Sequence, residues 1–224
     1  FVLTNAAPMV VSHEHRETRP YYHLVEGVDP QSLQFPLQYA RFARESYPVF
    51  LRLREAGVIP PAARFLVTMP APLAFLQVYI AGPDRARVEP AYERAVREQI
   101  AEITGAIPAG DLAFQWDTVF ELLILEGGRT TGIDDSKDAL IARLVRFGEA
   151  IPAGVELGYH LCYGDMNHVH SIEPKDTALM VDVANALASR VKRPIGFFHM
   201  PVPRDRSDDA YFAPLAGLRL APAT

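Results

Sequence analysis

The tetrapeptide Ile-Pro-Ala-Gly occurs twice, at 107–110 and at 151–154. Each copy follows a helical pattern and precedes a short apolar run, "DLAFQWD" in one case and "VELGYHLC" in the other. A related turn, "GVIPPA", precedes "ARFLVTMP" (63–70), and "VKRP" precedes "IGFFHMP" (195–201). Four rounds of helix, turn and strand leave few ways to fold. Strands separated by helices pair in parallel and carry the helices outside the sheet. The rounds lie roughly 40–50 residues apart, long for a bare strand–helix unit, so the loops after the strands are elaborated.

The helices are legible in outline. "DDSKDALIARLVRFGEA" places Leu140, Ile141, Leu144 and Val145 on one stripe, with Asp134, Asp135 or Ser136 as its cap. "EPKDTALMVDVANALASRV" has Pro174 in a first-turn position and an apolar face of Leu179, Val183, Ala186 and Leu187. "EPAYERAVREQIAEITGA" repeats the design with Pro90, and Gly105 marks its stop. Residues 36–57 read as a helix broken at Pro48.

Two parallel architectures compete, an open doubly wound sheet and a closed (β/α)8 TIM barrel. The first announces itself with a Gly-rich turn after an early strand, and no G-x-G-x-x-G occurs. Here the strands run out into polar or reactive residues at Thr68, Asp117, Cys162 and His199. Barrel enzymes assemble their sites from the carboxyl ends of several strands. The pattern therefore favours an α/β fold of the TIM-barrel kind, five or six of its eight strands lying in residues 1–224 as a single domain. The chain opens on Phe1 and stops at "LAGLRLAPAT", where another apolar segment begins, so strands are expected to be missing at one or both ends.

Charge and composition narrow the function. A net charge of -5 with no basic run gives no pull toward nucleic acid. No apolar stretch approaches the ~18 residues of a membrane span. One cysteine forms no internal disulfide, which fits a reducing cytoplasm. The expected partner is a small-molecule substrate, with self-association into a homo-oligomer as a further expectation, since missing strands expose sheet edges.

The segment "GYHLCYGDMNHVH" (158–170) holds that cysteine and three of the seven histidines. His160 and Cys162, two apart on a strand, face the same way. An imidazole with a thiolate suits zinc, and His199, closing the next strand, could join them. Buried polar packing is the plainer explanation of such a pair. Asp165 follows closely enough to orient His160. His168 and His170 read as solvated loop residues. Gln115 and Asp117 share one face of their strand, while Trp116 points the other way. Asp117 could act as a base, a cation partner or a helix cap. "VVSHEH" offers a second same-face pair, His13 and His15. Arg16, Arg19, Arg129, Arg204 and Arg206 lie in loops, where any could grip a carboxylate.

These strand ends resemble those of the cobalamin-independent methionine synthases, within the barrel superfamily they share with uroporphyrinogen decarboxylase. "LVTMPAPLAF" resembles a strand and turn of that family, "LAFQWDTVFE" its "QIDEP" strand, and "GYHLCYGD" its His-x-Cys zinc motif. The three stand in the family's order across roughly residues 60 to 200. The resemblance implies a methyl or alkyl transfer to a zinc-held thiol, with a methylated folate as donor. It implies His160, Cys162 and His199 as zinc ligands; Asp117 and, from its place beside the strand end, Asp165 are the expected catalytic residues. It implies Gln115, Trp116, Thr68 and Met69 as substrate contacts, Trp116 stacking on a flat donor. The pattern departs in three places. His199 stands where the family has a glutamate ligand, Thr118 where a Glu follows the Asp, and no second cysteine is present. A relative with a substrate other than homocysteine is expected. The alternatives are an amidohydrolase-like metal hydrolase using His13, His15, His160 and His199, a lyase or decarboxylase, and a non-catalytic relative.

Overall fold

A computed structural model describes residues 9–12, 21–165 and 168–220. It divides into two compact units, the first Phe1–Ala62, Pro72–Ile107 and Thr131–Ile133, the second Ala63–Ala71, Pro108–Thr130 and Asp134–Thr224.

The first unit holds an antiparallel pair, β1 (Met9–Ser12) and β2 (Tyr21–Leu24), with helices α1 (Tyr39–Glu55), α2 (Pro72–Tyr79) and α3 (Arg85–Ala106). Its core includes an aromatic cluster. Phe75 stacks on Tyr92 with centroids 4.0 Å apart, and Phe35 meets both edge-on at 5.4 Å. Two buried charges are held by the backbone. Asp84 accepts from the Leu24 amide at 3.0 Å, and Arg85 donates to the carbonyls of Leu76, Ile80 and Thr131. Donors so fully engaged make a buried guanidinium tolerable.

Two proline expectations fail here. Pro48 lies inside an unbroken α1, and Pro90 lies six residues into α3 instead of in its first turn. Each proline removes one helical hydrogen bond, and both sit at exposed positions, where the loss of a bond is tolerated.

The second unit is built on a four-stranded parallel sheet, in the order β3 (Phe65–Pro70), β4 (Leu112–Thr118), β5 (Glu156–Leu161), β6 (Phe197–His199). All four strands fall where the turn–strand pattern puts them. Helices α4 (Val119–Leu125), α5 (Lys137–Gly148), α6 (Ala178–Arg190) and α7 (Asp209–Phe212) complete the unit. Ser136 caps α5 by accepting from the Ala139 amide at 3.3 Å. α6 starts later than expected, after Thr177, so Pro174 lies before the helix and not in its first turn.

The fold is thus α/β with a parallel sheet whose strand order follows chain order. Alternation gives the sheet two faces. One row across it is Met69, Trp116, Tyr159 and Phe198. The first three are fully buried. Trp116 meets Phe147 of α5 with centroids 5.2 Å apart, and the Tyr159 hydroxyl donates to the Leu144 carbonyl at 3.1 Å. This is the helix-covered face. α5 and α6 are joined outside by ion pairs, Lys137 with Asp182 and Arg190 with Asp138.

The opposite face carries Thr68, Gln115, Gly158 and Phe197 in one row. Gly158 is required there, because a side chain would overlap the Phe197 ring. Gly158→Ala is expected to cost about 1–3 kcal/mol in chemical denaturation. Adding Phe197→Ala relieves the overlap, so the double variant should lose less than the two single losses combined.

Candidate functional site

The next row on this face, at the carboxyl ends of the strands, is Pro70, Asp117, His160 and His199. Parallel register explains the juxtaposition, since Asp117 opposes His160 and His160 opposes His199 on strands roughly 4.8 Å apart. The two imidazoles lie with centroids 4.5 Å apart, tilted by 32°. One row back, the Gln115 side-chain amide donates to Asp117 Oδ1 at 3.0 Å and reaches Thr68 Oγ1 at 3.5 Å. Gln115 therefore orients Asp117, and Thr68 steadies Gln115.

Burial dominates the electrostatics. It raises the Asp117 acid above the ordinary carboxylate value, although His160, the Gln115 bond and His199 pull it down. It lowers the His160 imidazole, as the neighbouring His199 also does, although Asp117 pulls it up. The Cys162 thiol is raised by its own burial first, and further by Asp117 and Asp165, while the Gly164 amide at 3.3 Å favours its charged form. Nδ1 of His160 is buried and has no hydrogen-bond partner. An orphaned polar atom of this kind calls for a function or a ligand.

The expected site residues separate into two groups. Asp117, His160, His199, Gln115 and Thr68 come together on one face, and Cys162 lies just beyond the end of β5. Trp116 and Met69 do not belong with them. Both are fully buried on the helix-covered face, as strict alternation demands. Asp165 is in an exposed stretch 4.0 Å from His168, and no hydrogen bond joins it to His160. His170 is 3.1 Å from Glu173. Arg206 is held by Asp208 and the Lys175 carbonyl. His13, His15, Arg16 and Arg19 lie outside the described residues.

Two further residues escaped the sequence. Thr118, fully buried, donates its hydroxyl to the His160 carbonyl at 2.9 Å. Glu121, on α4, is 1% exposed, and its Oε2 has no partner. The one available signal was a single acid within the apolar run "VFELLIL".

The donor types His160, His199 and Cys162 fit zinc, and the orphaned Nδ1 is where a ligand is wanted. Among the described residues, however, no group of three or more His, Cys, Asp and Glu is gathered to hold a metal ion. The fit is one of donor chemistry and not of a closed cage. No helix among the described residues is long and apolar enough to cross a membrane. No known family model, curated protein or solved structure matches the chain.

Proposed function

We propose that the chain is part of a (β/α)8-barrel enzyme that transfers a methyl or alkyl group to a thiol, after the manner of the cobalamin-independent methionine synthases. The observation that carries this is the row of Asp117, His160 and His199 at the carboxyl ends of adjacent parallel strands. Strand order equal to chain order supports the barrel, and the polar strand ends support a site at its mouth.

Under this reading His160, Cys162 and His199 would supply the ligands of a zinc ion, which would lower the pKa of an acceptor thiol and so provide a nucleophile at neutral pH. The chain's own groups do the rest. Asp117, fixed by Gln115, pairs with a cationic group of the acceptor and sets its orientation. Thr68 and Gln115 line the approach. A methylated folate is the donor class the resemblance implies.

The test supplies zinc, a methylated folate and a panel of small thiols, and follows S-methyl product by mass spectrometry. Product is expected with one of the thiols. Asp117→Asn should cut the rate on the order of 100-fold by loss of orientation and charge. Transfer undiminished in that variant, or absent with every thiol and donor, would reject the assignment.

A second reading has its own observation. Asp117 opposes His160 on adjacent strands, with burial shifting both toward their neutral forms, and such a pair can also serve in proton transfer. A lyase or decarboxylase on the same barrel would use it. Retention of substrate turnover after exhaustive chelation distinguishes this reading from the first.

A further inference from the structure

We propose that Thr118 is a positioning residue that locks the carboxyl end of β5, and with it both His160 and Cys162. The role matters for function only if that pair is the site proposed above, and the geometry behind it is separate. β6 pairs with β5 only from Gly158 to His160. Beyond His160, the strand end is held from the β4 side, where Thr118 opposes Leu161. Thr118 makes two contacts across that gap. Its hydroxyl donates to the His160 carbonyl at 2.9 Å, and its own carbonyl accepts from the Cys162 amide at 3.5 Å. A single residue therefore grips the chain on both sides of Leu161.

The hydroxyl has been diverted from its usual duty. Thr118 is the N-cap of α4, where a threonine oxygen ordinarily accepts from an amide of the first helical turn. No side-chain cap bond forms here. The residue sits at φ -115°, ψ 69°, fully buried, with its hydroxyl turned across to β5. Thr118 lies two residues past Trp116, on the helix-covered side, and its hydroxyl adds a side-chain bond where the parallel β4–β5 pairing ends. Asp117 points to the opposite face and belongs to the site itself. Successive residues of one strand end thus supply a group in the site and a clamp behind it.

The experiment compares wild type with Thr118→Val and Thr118→Ser. Valine keeps the shape and the backbone carbonyl but removes the hydroxyl, and serine restores it. Two quantities are read on zinc-free protein. One is hydrogen exchange at the Cys162 amide by NMR. The other is the rate at which iodoacetamide alkylates the thiol, unambiguous because Cys162 is the chain's one cysteine. In Thr118→Val both should rise about five- to tenfold, the loss of one buried hydrogen bond, while exchange at Leu157–Tyr159 stays unchanged. Thr118→Ser should return both to wild-type values. Unchanged rates in the valine variant, a rise spread evenly over β5, or failure of serine to rescue would each overturn the proposal. Should Thr118→Val fail to fold, Thr118→Ala set against Thr118→Ser makes the same comparison. Neither quantity involves a metal, so a failure of zinc binding would defeat the transfer reading and leave this result standing.

Discussion

Trp116→Ala is expected to destabilise the protein by about 3–5 kcal/mol, the range for removing a large aromatic from a packed core. The indole is fully buried between Phe114 and Phe147, with centroids 5.5 and 5.2 Å from theirs. Such a loss is a large share of the ~5–15 kcal/mol by which a domain is stable. Chemical denaturation followed by circular dichroism measures it. Were Trp116 a stacking platform for a flat donor, its removal would weaken donor binding and leave the midpoint almost unmoved. Trp116→Phe, which keeps an aromatic in the core and gives up an indole Nε1 that is already without a partner, should cost much less than alanine.

Glu121→Gln is expected to abolish a pH dependence of stability worth about 3 kcal/mol. Burial pushes the Glu121 acid up from 4.5 to about 7, and a hydrogen bond to its own backbone and then Arg143 only partly offset it. Between those values the folded chain holds a proton that the unfolded chain has released. Rising pH therefore favours unfolding across this window. The contribution is complete below about pH 4.5 and gone above about pH 7. His160, lowered by its burial, acts in the opposite sense, with stability lost as pH falls below the ordinary histidine value. Denaturation midpoints at a series of pH values, wild type minus Glu121→Gln, isolate the Glu121 contribution. A difference that stays constant from pH 4.5 to 7.5 would show that Glu121 is ionised throughout in the folded chain.

The sheet was legible because four turns of one kind each precede a short apolar run. The carboxyl ends of those runs could be read directly as Thr68, Asp117, His160 with Cys162, and His199. Register then did what spacing alone cannot, placing Asp117, His160 and His199 in one row from three separate strands. Period-two alternation already turned Trp116 away from Asp117. In the fold the indole is fully buried against Phe147 of α5. Prolines misled in three helices for a common reason. First-turn placement is a preference, and exposed helix interiors at Pro48 and Pro90 tolerate the loss of one bond. Thr118 was illegible because its hydroxyl answers a carbonyl 42 residues away on another strand. Glu121 was illegible because the seven residues of α4 are too few to show which side is buried.

The central claim is that the strand-end row holds a metal that activates a thiol. It is tested most directly by the zinc content of purified protein supplied with zinc, with His160→Ala and Cys162→Ala measured alongside. About one zinc per chain is expected in the wild type, and loss of it in both variants. Wild-type protein that takes up no zinc, or variants that keep it, would contradict the account and move the proton-transfer reading of Asp117 and His160 to the front.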